Sequence, residues 1–508
     1  MSSSIPDLND IQEKCQLPVP TSTPAAPIRA DDAQSPWCIP SRYQLVLFLF
    51  MGFFVMFSIR VNLSVAIVAM VNTTVITSNA SINITDACPR PNINDTGTVP
   101  HAGKFDWDGK TQGLILSSFF YGVILTQIPG GWLSKRFGAK HPFGLAVLLS
   151  GLLALFQPLA ASWHYGALLT LRALQGVVQG VSMPAAHQLM GLWAPPNERS
   201  RMVMITFTGI QIGTVVALIL SGVLIQNLGW ESGFYFFGGL AFIWYAGWLY
   251  FAYDSPSVHP RITPTEKQFI LDSIGHAQPL MTTAVPQTPW RQILTSLPVW
   301  AICVGNFGHN WGFYTLLTNI PSYLGKVLHY NIQSNGIISA MPYLAMAVVM
   351  QLAGWMGDVL RQKKIISVTW IRRGFHFVGQ VLPAGCLVGL GFIGCDHNAA
   401  VAFLILALAT NGISNVGFTV NHVDLSPKYA GILMGWSQTW GSIPGIVAPY
   451  LVGLLTDPEN MISQWRIVFA IAAAVYFVTC TFYALTASGE RQQWEPQPNA
   501  DNSNTSKP

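Results

Sequence analysis

The sequence predicts an all-α membrane protein, with twelve transmembrane helices in two six-helix bundles. Three observations lead there. Only 9% of the 508 residues are Asp, Glu, Lys or Arg, while 51% are hydrophobic; a soluble fold this size needs about 25% charge for its surface. The apolar residues come in long blocks, twelve of them near the ~20 residues that a helix needs to cross the hydrocarbon core. A turn that follows the second block recurs after the eighth, 223 residues later, so the chain reads as two related halves.

The same composition excludes other classes. A net charge of +4, spread thinly, leaves no electrostatic footprint for nucleic acid. Seven Cys at irregular spacing give neither a CxxC zinc pattern nor a disulfide framework. No GxSxG, HExxH, Walker-type loop or His/Cys metal cluster is present, so no catalytic residue, metal or cofactor is expected. The polar stretches are too short for a catalytic or ligand-binding domain, and a receptor would have seven spans rather than twelve with a half-repeat.

Taken in order, residues 1–44 are rich in Ser, Pro and Asp and read as a disordered tail. Six spans follow at about 45–71, 112–134, 141–161, 166–191, 203–225 and 233–253, making a bundle over 45–253. A polar linker, 254–297, separates it from spans at about 298–323, 335–357, 374–394, 398–420, 428–453 and 464–486, a second bundle over 298–486. Residues 487–508 are polar and read as a second unfolded tail. Lys and Arg mark the cytosolic links: Lys135, Arg136 and Lys140; Arg199 and Arg201; Arg361, Lys363, Lys364, Arg372 and Arg373. Both tails and the linker are therefore cytosolic. The long loop 72–111 falls on the opposite side and holds four N-x-[ST] sequons, at Asn72, Asn79, Asn83 and Asn94. Four within 25 residues, on the face charge counting makes non-cytosolic, imply a glycosylated secretory-pathway protein. Two six-helix repeats around a central cavity are the architecture of parallel-repeat secondary transporters.

The repeated turns are Gly131-Trp-Leu-Ser-Lys-Arg-Phe-Gly-Ala-Lys140 and Gly354-Trp-Met-Gly-Asp-Val-Leu-Arg361. They resemble the G-x-L-x-D-R-x-G-R-K signature of the major facilitator superfamily. Gly131, Arg136 and Gly138 match it in the first half, where Lys135 replaces the usual acid; Asp358 keeps the acid in the second. Leu171-Arg172-Ala-Leu-Gln175-Gly176 is similar to a second superfamily motif, which puts Arg172 with the gating residues. Longer strings resemble solute carrier family 17: Arg60-Val-Asn-Leu-Ser-Val-Ala66, Ser118-Phe-Phe-Tyr-Gly122, Thr126-Gln-Ile-Pro-Gly-Gly131, Trp193-Ala-Pro-Pro-Asn-Glu-Arg-Ser200 and Val420-Asn-His-Val-Asp-Leu-Ser-Pro427. Phe313-Tyr-Thr-Leu-Leu317 and Gly394-Cys-Asp396 look most like its sialin branch. The resemblance covers roughly residues 40–490. It implies alternating access and a small anionic substrate, carried with H+ or Na+ or driven by voltage. Acidic sugars such as sialic acid, or anionic amino acids, are the first expectation; sodium-linked phosphate or a urate-like anion is the alternative. A receptor-like protein without flux is remote.

Arg60 is the only charge inside the first span. A guanidinium at that depth costs at least a few kcal/mol and normally faces the bundle interior; it can hold a carboxylate or phosphate bidentately. The bland alternative is a structural ion pair. His187 can donate, accept and titrate near pH 6.5, or simply pack. His309 lies across the repeat from Arg60, at a place where the family varies, so it reads as a specificity position. Tyr121 and the pair Asn421-His422 complete the expected substrate lining, with aromatic packing and a helix C-terminal cap as their alternatives. Gln175 and Gln179 sit one helical turn apart. The family resemblance puts Glu at one or both of these positions in proton-coupled members, and Gln cannot titrate. Proton coupling through them is therefore not expected.

A lysosomal address is degraded: Glu13-Lys-Cys-Gln-Leu17 is followed by Pro18, not by a second aliphatic residue. Plasma membrane, lysosome and secretory vesicle all fit, and nothing in the sequence implies an obligate protein partner beside the lipid bilayer.

Overall fold

A computed structural model describes residues 39–71, 104–107, 109–274, 288–328, 332–456 and 462–495. Among these the chain forms twelve rods of helix. In the first half they are Ser41–Met70 (span 1), Gly109–Phe137 (span 2), Lys140–Trp163 (span 3), Tyr165–Gln179 with Ser182–Trp193 (span 4), Arg199–Leu228 (span 5) and Ser232–Phe251 (span 6). The second half has Leu297–Ser322 (span 7), Ile332–Gln362 (span 8), Val368–Leu390 (span 9), His397–Asn411 with Ser414–Leu425 (span 10), Ala430–Thr456 (span 11) and Ile462–Thr486 (span 12). By length and composition eight of these are able to cross a membrane; spans 4, 7, 9 and 11 fall short of that test.

The halves pack alike. Span 1 lies on span 5 as span 7 lies on span 11; span 2 on span 4 as span 8 on span 10; span 3 on span 6 as span 9 on span 12. The halves then meet through span 2 against span 11 and span 5 against span 8. Close approach depends on glycine. Methyls at Gly122 and Gly176 would run into backbone carbonyls of Ala173 and Phe119, so spans 2 and 4 touch backbone to backbone.

Three differences from the sequence reading have physical causes. Spans 4 and 10, read as continuous, each break in mid-course, at Gly180–Val181 and Ile413 beside Gly412; glycine, a poor helix former, is present at both breaks. Span 9 starts at Val368, where Ser367 caps it, which takes Arg372 and Arg373 into the helix. The linker is partly folded: Pro264–Ile274 is helical, and its Glu266 accepts from Ser41 N (2.9 Å), Arg42 N (3.1 Å) and the Arg42 guanidinium (3.1 Å).

Two further expectations are corrected. Residues 487–495 pack against the protein: Gln492 N donates to Leu425 O at 3.0 Å, and Lys428 N to Glu495 Oε1 at 3.2 Å. Cys395 is disulfide-bonded, although the spacing of the cysteines gave no framework. The four sequons, the tail 1–38 and residues 496–508 lie outside the described residues.

Candidate functional site

Arg60 lies two-thirds of the way along span 1, and span 5 holds that helix in place. Its guanidinium carbon stands 4.4 Å from the ring centroid of Phe119 and 4.7 Å from that of Phe120, both on span 2. Phe57 at 5.3 Å and, from the other half, Tyr314 at 5.7 Å complete an aromatic box. Phe120 and Tyr314 meet edge to face at 5.0 Å, so the box closes across the two bundles. Arg60 makes no hydrogen bond or ion pair with the described residues. Each ring face contributes about 0.5–2 kcal/mol of cation–π attraction, enough to hold the group without neutralising it.

Arg172, from span 4, stacks over Phe119 at 5.3 Å. Two guanidinium groups thus lie against the Phe119 ring, and they are near enough to repel one another. Arg172 is buried; Nη1 donates to Gln175 Oε1 at 2.8 Å, and Nε has no partner among the described residues. Gln175 also accepts from Gln157 Nε2 (3.1 Å) and donates to Ser150 O (3.2 Å). A neutral amide therefore orients Arg172 and leaves its charge uncancelled. Gln179 is buried one turn on, and its Nε2 has no partner among the described residues. Across the described residues of the twelve rods the only carboxylates are Asp358 and Asp424, both near helix ends. The middle of the protein holds two cations and no anion.

The other expected residues are distributed differently. His187 stacks on Phe207 at 4.9 Å and meets His422 of span 10 at 5.3 Å. Its Nδ1 lies 3.1 Å from Met183 O; a carbonyl only accepts, so Nδ1 carries the proton, and Nε2 is left buried and unpartnered. His309 packs within the second bundle, Nδ1 at 2.8 Å from Ser414 Oγ and its ring near Phe418. Asn421 donates to Tyr483 OH at 3.1 Å, tying span 10 to span 12. Tyr121 stands 49% exposed on one stripe with Leu114 and Leu125; the rings over Arg60 are those of the two residues before it. The structure gathers Arg60, Arg172 and Gln175 around Phe119, and sets His187 at the bundle seam.

A second polar cluster joins the two bundles at the end that carries the repeated turns. Asp424 takes Arg199 (2.9 Å), Arg361 (2.9 Å) and Arg372 (2.7 Å), which come from three other spans and both halves. Asp358 accepts from Ser200 N (3.0 Å) and Arg201 N (2.7 Å), capping span 5 from the opposite bundle. Gly131 faces the backbone of Gly431, where a Cβ would come within 2.6 Å of the carbonyl oxygen. Gly138, at φ +84°, turns the chain beside Asp254, whose Oδ1 accepts from Ala139 N (2.6 Å) and Lys140 N (2.8 Å). Arg136 is exposed. Sequence reasoning singled out His422 with Asn421, but not Phe119, Phe120, Tyr314 or Asp424, as site residues. The one usable signal was that Phe119 and Phe120 sit in a string already marked by its resemblance, and Asp424 in another. No His/Cys/Asp/Glu group fit for a metal exists among the described residues.

Twelve helical rods in two bundles, with two unneutralised cations among them, are the architecture of a membrane transporter. The sequence pattern of the Major Facilitator Superfamily matches residues 45–449. Sialin of Ovis aries is 45% identical over 470 residues, 92% of each chain; sialin of Homo sapiens is 42% identical, over 97% of this chain and 98% of its own. Vesicular glutamate transporter 3 of Danio rerio is 42% identical, over 95% of this chain and 78% of its own. Among solved structures, a proton:xylose symporter of the superfamily superposes with a TM-score of 0.65 at 14% identity, over 89% of this chain and 97% of its own; that likeness concerns the fold. The chain belongs to the Major Facilitator Superfamily and, within it, to solute carrier family 17, where it is most like sialin.

Proposed function

We propose that this transporter carries small organic anions by alternating access, with Arg60 and Arg172, the two guanidinium groups beside Phe119, drawing in the substrate's carboxylate. The observation that carries this is the pair of guanidinium groups in an interior without a carboxylate. Such a centre attracts an anion, and the bidentate geometry of Arg suits a carboxylate. It offers no acidic counter-charge to an amino acid's ammonium group, which favours acidic sugars over anionic amino acids. The names of the relatives, sialin and vesicular glutamate transporters, support both classes.

The interior carboxylates that would couple an anion to a proton are replaced by Gln175 and Gln179. An anion carried alone moves its charge across the membrane, worth about 2.3 kcal/mol per 100 mV, so the membrane potential is sufficient to drive it. His187, His309, Tyr121 and Asn421 remain proposed as lining or specificity positions. The protein acts in a lysosomal, vesicular or plasma membrane. A sodium-linked phosphate or urate-like carrier is the second reading, favoured by the glutamine pair alone.

The test is uptake of labelled sialic acid, glutamate and phosphate into proteoliposomes under a potential, a pH gradient or a sodium gradient, each applied singly. Organic-anion uptake driven by potential supports the proposal. Phosphate uptake that requires sodium would replace it with the second reading.

A further inference from the structure

The superfamily turn of the second half uses Asp358 to cap span 5 of the first half. By the repeat, residue 135 should cap span 11, but it is Lys135. Its Nζ lies 4.3 Å over the Tyr429 ring and 3.1 Å from Thr288 Oγ1, and its charge repels that of Lys428. A cation at a helix N-terminus opposes the macrodipole. Inside the first turn of span 11, Gly431 N donates instead to Gln188 Oε1 at 3.3 Å, and the turn ahead of the span is held from beyond the last span. Glu495, 6% exposed, accepts from Lys428 N through Oε1 at 3.2 Å.

The segment that delivers Glu495 is held at several points. Gly489 N donates to Thr369 Oγ1 (3.0 Å) and Gln492 N to Leu425 O (3.0 Å), and Trp494 packs near Tyr429. Leu425 and Lys428 bracket the turn that follows Asp424, and Lys428 O accepts from Gln188 Nε2 of the first half at 3.3 Å. Arg491 also donates to Ile274 O at 3.2 Å, on the linker helix whose Glu266 grips span 1. The segment therefore bridges a helix fastened to one bundle and the gate turn of the other.

We infer that residues 488–495 form a strap which holds the cytosolic gate closed, with Glu495 pinning the turn that leads into span 11. Opening toward the cytosol must carry span 11 away from span 2 and break the strap's hold on one side. The inference does not depend on which substrate is carried.

The experiment places a reporter at Ala430→Cys, a fully buried position at the start of span 11. The full-length chain, in inside-out vesicles, is treated with a membrane-impermeant thiol reagent, and labelling is read above that of the parent. Glu495→Ala removes the hydrogen bond to that turn and is expected to raise the labelling rate about fivefold, the scale of one lost hydrogen bond. Glu495→Gln, which keeps the acceptor, is expected to label at the parent rate. Adding Lys135→Glu to Glu495→Ala should restore slow labelling, a rescue that a merely structural role for Glu495 does not predict. If Glu495→Ala does not reach the membrane, Arg491→Ala frees the strap from the linker helix and carries the same expectation. Parent-rate labelling in folded Glu495→Ala, or in Arg491→Ala, overturns the inference, as does failure of the rescue.

Discussion

Arg60 is held by rings and by no anion, so its charge is available to a ligand. Replacing it with Ala is expected to cut anion uptake more than about tenfold while the detergent-extracted protein melts normally, because no described ion pair or hydrogen bond is lost; Arg60→Lys should recover little, since an ammonium cannot match a carboxylate's two oxygens. Gln175→Glu is the sharper test. It places a carboxylate where an amide oxygen now lies 2.8 Å from Arg172 Nη1, cancels one of the two cations, and introduces a titratable group. Uptake at neutral pH should fall and should then rise on acidification, a dependence the parent is expected to lack; initial rates across a pH series read it directly. Arg60 could be picked out from sequence because a lone charge in an apolar run is costly enough to have a purpose. Its box could not be, because the rings at Phe119, Phe120 and Tyr121 look equivalent until the rotation of span 2 is known.

At the level of elements, the two halves lean on one another through small, specific contacts at the cytosolic end. Gly131→Leu forces side-chain atoms into the Gly431 backbone and should bias the protein toward the cytosol-open state, seen as faster labelling of a thiol placed at the start of span 11. Asp424→Asn strands Arg199, Arg361 and Arg372 together. Removing one side of so buried a network costs about 3–5 kcal/mol, and a marked fall in melting temperature or loss of folded protein is expected. The strap brings a pH dependence whose sign follows from burial. Desolvation raises the Glu495 carboxyl above its ordinary range, against the opposing charges of Arg491 (3.6 Å away) and Arg199, with Tyr429 beside it. The docked strap therefore binds a proton more tightly than the free one, and the penalty for docking it ionised disappears as pH falls through the raised value. Cytosolic acidification should slow labelling at the gate, and Glu495→Gln should abolish that dependence. The helices of both halves were legible because a helix that crosses a bilayer needs a long run of residues with few charges. The breaks in spans 4 and 10 were not, since 45 glycines are scattered through the chain and sequence does not mark which of them interrupt a helix. The strap was missed for a similar reason: a polar segment reads as solvated until a groove is found beneath it.

For the whole molecule the account reduces to charge. Among the described residues of the spans the only carboxylates, Asp358 and Asp424, lie near helix ends, while two guanidinium groups in the interior invite an anion. An internally charged carrier that lacks acidic coupling groups moves substrate down the sum of its gradient and the membrane potential. Each monovalent anion driven by 100 mV gains about 2.3 kcal/mol, or up to some fiftyfold accumulation at equilibrium. The measurement that tests this most directly is uptake of labelled sialic acid into proteoliposomes under a valinomycin-imposed, inside-positive potassium potential, with pH and sodium equal on both sides. The account predicts concentrative uptake that collapses when the potential is dissipated and is lost in Arg60→Ala. Uptake indifferent to potential, appearing only when a pH gradient is imposed, would contradict it and place proton coupling on a histidine at the seam between the bundles.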